Sequence, residues 1–232
     1  MCAIFGILGS FDPAQARRAL SAMAHRGPDY CGIVEQKNLF FAHNRLSIID
    51  LRASAHQPMR HNDVLLSFNG EIYNHKALRQ ELSADFTFAS DSDTEVLLAA
   101  YKKWGLAFVD RLVGMFAIAL LDGNDLYLFR DRLGKKPLFY LHNREQFIFA
   151  SEIKGLTPFL GKKEMNKDAL VSYLGYLAPT PPHTFFKGIH KLEAGEMLHF
   201  DGRKIEKRLY YSLLDAPSSL IVTEQEALKT IE

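Results

Sequence analysis

The sequence predicts an α+β protein built in layers, with helices covering sheets whose strands are buried on both faces. Three observations carry this. From Met115 to Ala150 four β-prone runs, MFAIALL, LYLFR, PLFYL and QFIFA, are apolar almost throughout and separated by turn residues, which is the pattern of strands with no solvent face. Residues 74–84 and 93–104 instead carry apolar residues at helical spacing, as helices lying on a sheet do. The chain has 232 residues, 47% of them hydrophobic, enough for one substantial core.

Taken in order, residues 2–8, CAIFGIL, read as a buried strand ending at Gly9-Ser10. Asp12-Pro13 opens a helix to about Met23, with Ala16, Leu20 and Met23 on its apolar side. Gly27 and Pro28 prevent it from continuing. Strands are expected at about 31–35, 39–43, Leu46–Asp50 and Val64–Phe68, the last running into Asn69-Gly70-Glu71. A helix follows at 74–84 with Ala77, Leu78 and Leu82 on one side, and another from Asp93 to about Trp104. The four runs after Met115 read as a meander of antiparallel strands. Beyond Ser151 come a helix at about 167–174, a stiff turn at 178–182 and short strands within 184–211. The end reads as a linker with a helix starting near Thr223, as if a second domain were to follow.

A formal net charge of +1 offers no field for nucleic acid or acidic lipid. No stretch approaches the roughly 20 apolar residues of a membrane helix, and the start has no basic signal-peptide region. The two cysteines, Cys2 and Cys31, belong to no disulfide scaffold or metal-ligand spacing. The expectation is a soluble cytoplasmic protein with no nucleic-acid or membrane partner. Lys135-Lys136 and Lys162-Lys163 read as solvated turns, and Arg130–Pro137 as a surface facing a partner domain rather than a phosphate loop. His25, His43, His56 and His75 are scattered and read as structural.

Cys2 is the sharpest chemical feature. Initiator methionine is removed efficiently before a small side chain, which would leave a thiol and a free α-amine on one residue. An α-amine has a pKa of about 7.7–8.0, so it can take the thiol proton and later return it to a leaving group. A cysteine opening a strand is also an ordinary small buried hydrophobe. Asn69-Gly70 could supply a side-chain NH2 and a backbone N–H to an oxyanion, although Asn-Gly is equally a common hairpin turn. Arg45 could hold a carboxylate with its planar fork, and Asp93 an ammonium group with Glu71 nearby. Their ordinary roles are a surface ion pair and a helix start.

Eight ordered segments turn these separate signals into a resemblance: MCAIFGILG at 1–9, HRGPD at 25–29, AHNRLSIIDL at 42–51, FNGEIYNH at 68–75, SDTEV at 92–96, RLVGMFAIAL at 111–120, RDRLGKKPLFY at 130–140 and FASEIKGL at 149–156. The sequence resembles the N-terminal glutaminase half of glutamine-dependent asparagine synthetases. These are class II amidotransferases of the N-terminal-nucleophile hydrolase superfamily. The resemblance implies a four-layer α/β/β/α sandwich over residues 2–210, with 211–232 as linker and start of a C-terminal domain. It implies Cys2 as nucleophile, its amine as base, and Asn69 with the Gly70 amide as oxyanion hole. Arg45 would hold the α-carboxylate of L-glutamine and Asp93 its α-amino group. Glu71, Ile48 and Ile49 would line the pocket, and Arg26 would support the closed site.

No cofactor is implied for the glutaminase half. ATP and Mg2+ are expected only in a C-terminal synthetase domain joined in cis, whose Ser-Gly-Gly-x-Asp-Ser loop does not occur here. A homodimer is compatible with the family. Relatives that amidate sugars, polysaccharides or peptides share the same layout. A catalytically silent glutamine-sensing or docking module is the non-enzymatic alternative. Asn44, Thr94 and Phe129 depart from the usual family residues without removing a catalytic group.

Overall fold

The computed structural model describes residues 1–215 together with Thr223, Gln225 and Leu228. The linker and final helix expected after Tyr210 therefore fall largely outside the described residues. Twelve strands form two six-stranded antiparallel sheets among the described residues. The first sheet contains β1 (Ala3–Gly9), β2 (Tyr30–Gln36), β3 (Leu39–Arg45), β8 (Phe139–His142), β9 (Gln146–Ala150) and β10 (Ile189–Lys191), in the order β10-β8-β9-β1-β3-β2. The second contains β4 (Met59–His61), β5 (Val64–Ile72), β6 (Gly114–Asp122), β7 (Asp125–Arg130), β11 (Glu196–Phe200) and β12 (Ile205–Leu209), in the order β12-β11-β7-β6-β5-β4.

Side-chain alternation along the strands builds the layers. On β6, Phe116, Ile118 and Leu120 enter one core with α2 (His75–Leu82) and α3 (Asp93–Trp104). Ala117, Ala119 and Leu121 of the same strand enter a different core, against the other sheet. On β1, Ala3, Phe5 and Ile7 pack with Ala16, Ala19 and Leu20 of α1 (Pro13–Ser21), whereas Ile4 faces the opposite sheet. Three cores thus separate four layers, the α/β/β/α order expected. Small residues on β6 face Phe41, Phe147 and Phe149 across the middle core, a large-to-small fit that lets sheets approach to about 10 Å. Gly6 is required there, because a Cβ would stand 2.4 Å from the Phe149 ring.

Three sequence expectations are corrected. Residues 46–52 form a loop, not a strand. Their apolar and β-branched residues imitate a strand, but Ile48 is 71% exposed and the carbonyls of Ile49, Asp50 and Arg52 accept from the Arg45 guanidinium instead of a neighbouring strand. The meander is broken: β6 pairs with β7 and β8 with β9, but β7 and β8 lie in different sheets.

The third concerns Lys136, which reads as part of a solvated turn but is buried, although Leu133 and Lys135 of the same Arg130–Pro137 segment are exposed. The Asp131 carboxylate accepts from the backbone N–H groups of Phe116, Leu133, Lys135 and Lys136. Arg130 donates to the carbonyls of Gly134, Lys136 and Leu192. Arg130, Asp131 and Lys136 are buried, so Lys136 is no solvated turn residue. Their hydrogen bonds carry the chain from one sheet to the other.

The sandwich has two dissimilar ends. Hairpin turns at 37–38, 123–124, 143–145 and 201–203 gather around an open groove at one end. Cys2, Arg45, the Asn69-Gly70-Glu71 segment and Met115 meet at the other.

Candidate active site

Strand parity brings the polar residues inside. Ser67, Asn69 and Glu71 alternate on β5 with Leu66, Phe68 and Ile72, which belong to the helix-side core. They therefore point toward the space between the sheets. On β3 the same parity puts His43 and Arg45 on the Phe41 side, and Cys2 precedes Ile4 on the corresponding face of β1. Cys2, Arg45, Ile48, Ile49, Asn69, Gly70, Glu71 and Asp93 line one cavity.

The Cys2 thiol is half-buried against the main chain of Leu46, whose N–H lies 3.4 Å from Sγ. Burial pushes the thiol above its ordinary pKa, and the Leu46 hydrogen bond opposes this only in part. The resting group is the thiol, so nucleophilic chemistry here needs a base.

Asn69 is 1% exposed, and its Nδ2 finds no hydrogen-bond partner among the described residues. A buried amide donor left so costs roughly 1–3 kcal/mol. Gly70 sits where β5 closes on β6: a Cβ would lie 2.1 Å from the Met115 carbonyl oxygen.

Arg45 and the two acids make the site bipolar. The Arg45 guanidinium, 4% exposed, spends three donors on the 46–52 loop. Of its five N–H groups two remain. That loop is also tied to the start of α3, because Asp50 accepts from Asp91 N at 2.7 Å and Arg52 bridges Asp50 and Asp91. Asp93, in the first turn of α3 after the Ser92 cap, accepts from Ile72 N at 3.2 Å. Burial raises its pKa, the Ile72 hydrogen bond lowers it, and the negative charge of Glu71 raises it further. Two carboxyl groups that repel one another favour a cation between them.

Arg26 alone among the expected site residues does not line the cavity. It stands behind the site, donating to the Cys2 carbonyl at 2.9 Å and to Glu152 at 3.0 Å.

Sequence reading missed Gln57, Thr94 and Lys136 as cavity residues. Gln57 donates to Thr94 Oγ1 at 3.0 Å and accepts from Phe68 N at 2.6 Å. Lys136 reaches Met1 Sδ at 3.5 Å. Among the described residues no group of three His, Cys, Asp or Glu side chains could hold a metal ion, and no helix is long and apolar enough to cross a membrane.

The double sheet and its helices match a solved glutamine phosphoribosylpyrophosphate amidotransferase from B. subtilis with a TM-score of 0.67, over 90% of this chain and 49% of that one. At 20% identity that match defines the fold class. Residues 1–211 match the glutamine amidotransferase domain family, and the chain belongs to that family. Among its relatives, asparagine synthetase (glutamine-hydrolyzing) 1 of Bacillus subtilis is 38% identical over 84% of this chain and 33% of its own length. Asparagine synthetase B (glutamine-hydrolyzing) of Escherichia coli is 45% identical over 68% of this chain and 30% of its own length. The chain thus spans about a third of these curated relatives.

Proposed function

We propose that this chain hydrolyses L-glutamine to L-glutamate and ammonia. Residues 2–210 would form the glutaminase domain, and the ammonia would serve ATP-dependent amidation of aspartate by a synthetase domain joined through residues 211–232. One observation carries the reading: the buried, unsatisfied Asn69 amide opens into the same cavity as the Cys2 thiol. Native proteins tolerate such a donor where it has work in the reaction.

With Met1 removed, the freed α-amine takes the Cys2 thiol proton. The thiolate then attacks the side-chain amide carbon of glutamine. Asn69 Nδ2 and the Gly70 N–H stabilise the resulting oxyanion. The protonated amine gives its proton to the departing nitrogen, and ammonia leaves a γ-glutamyl thioester. Water, deprotonated by the same amine, hydrolyses the thioester and restores the thiol. The two spare donors of Arg45 hold the substrate α-carboxylate, and Asp93 with Glu71 holds its α-ammonium. The bipolar arrangement favours a free amino acid over a peptide, in which both groups are amides. Arg26 fixes the Cys2 main chain.

The test is glutamate release by protein whose N-terminus has been checked by intact mass, with Cys2→Ala run beside it. Cys2-dependent release is expected. Release that survives in a folded Cys2→Ala protein sinks the nucleophile assignment. No release from protein beginning at Cys2 would favour a binding module.

A further inference from the structure

Behind the proposed oxyanion donors, β5 is held in an unusual way. Its neighbour β4 pairs with it only from Val64 to Leu66. Two residues further on, side chains take both main-chain groups of Phe68. Its N–H donates to Gln57 Oε1 at 2.6 Å, and its carbonyl lies 3.1 Å from His43 Nε2. A carbonyl only accepts, so the His43 proton sits on Nε2. Nδ1 is then a bare lone pair, buried and without a partner among the described residues. His43 is fully buried, and burial, with the Arg45 charge beside it, pushes its pKa down to about 3 despite the Phe68 hydrogen bond.

The Phe68 carbonyl belongs to the same rigid peptide plane as the Asn69 N–H. We propose that neutral His43, as its Nε2–H tautomer, is a positioning residue of the oxyanion hole: it fixes the Phe68–Asn69 peptide and so aims the Asn69 amide and the Gly70 N–H. Gln57 holds the same residue from its other main-chain group. This rests on the glutaminase reading above. A histidine is suited to the task because its rigid ring spans from the first sheet to the second and its flat edge offers one directed donor.

Two measurements test it on the mature chain. Nitrogen-15 NMR of the His43 ring from about pH 5 to pH 9 should show Nδ1 bare, Nε2 protonated and no titration. In kinetics, His43→Leu removes the donor and His43→Gln returns an amide N–H at similar reach. His43→Leu should lower kcat about 100-fold at nearly constant KM, the order expected for a small misalignment. It should weaken an aldehyde analogue of glutamate, which forms an oxyanion on Cys2, by a similar factor while leaving glutamate affinity unchanged. His43→Gln should recover at least tenfold of the loss. If His43→Leu does not fold, His43→Asn against His43→Gln decides, since both bury an amide and only the longer one reaches Phe68. An Nδ1–H tautomer, a titrating ring, unchanged kcat in the folded variants, or equal weakening of glutamate and aldehyde overturns the proposal. Wild-type protein inactive on glutamine instead overturns the glutaminase reading, and that control is read first.

Discussion

Arg26 Nε donates to the Cys2 carbonyl oxygen at 2.9 Å while its Nη1 bonds Glu152 at 3.0 Å. The loop after α1 therefore holds the residue that opens β1. The neighbouring Gly27 packs so tightly on the end of β3 that a Cβ would stand 2.3 Å from the Asn44 backbone. Arg26→Lys keeps the charge but loses the two-armed geometry. We expect it to lower kcat roughly 10- to 100-fold through misplacement of the thiol. KM should barely move, because Arg26 does not line the cavity. Steady-state kinetics on glutamine check both numbers.

Removal of the Asn69 amide should separate catalysis from stability. Asn69→Ala is expected to lower kcat by about 10²–10³-fold, or roughly 2.7–4 kcal/mol. Thermal stability should hold or rise, because an unsatisfied buried donor disappears with it. Parallel kinetics and melting curves test this. A stability loss with unchanged kcat would mean that Asn69 is merely structural.

Arg45 should carry two effects at once. Arg45→Lys cannot hold three loop carbonyls and a carboxylate together. Each charged hydrogen bond lost is worth about 1.5–3 kcal/mol, so KM for glutamine should rise about tenfold or more. Amides of residues 49–52 should exchange hydrogen faster in the substrate-free variant. Raised KM without faster exchange would divorce substrate binding from loop order.

The buried His43 predicts a pH dependence of stability. Its folded pKa is about 3, below the ordinary value of about 6.5 that it regains on unfolding. Between these values the unfolded chain binds the extra proton, so stability falls as pH drops through the window. From about pH 7 to pH 5 this one group should remove roughly 2 kcal/mol. His43→Gln should flatten that part of the profile, as measured by urea unfolding at both pH values.

The fold was legible where local pattern and layer agree. α3 runs from Asp93 to Trp104 as its spacing implies, and β1 begins at Ala3, one residue after the expected start. Ordered short segments also marked most of the cavity wall. What sequence could not disclose was long-range. Nothing local says that the runs ending at Arg130 and beginning near Phe139 belong to different sheets, because a crossover and a hairpin use the same turn residues. His43 looked scattered because its partner Phe68 lies on the other sheet, 25 residues away. Gln57 stayed hidden because its partners, Phe68 and Thr94, lie 11 and 37 residues further along the chain. The 46–52 loop deceived because its apolar and β-branched residues are those of a strand while three of its carbonyls are satisfied by a side chain.

The groove end of the sandwich, ringed by four hairpin tips, stands apart from every residue assigned to the chemistry. At Gly123-Asn124 the tip is exposed, and a Cβ on Gly123 would meet nothing within 4 Å. Foreign sequence spliced between these two residues would leave both strands to pair as before, since an added loop segment costs only a slowly growing closure entropy. The domain is thus a ready carrier, able to bear a fluorophore, an affinity handle or a tether on one pole while its opposite pole goes on working.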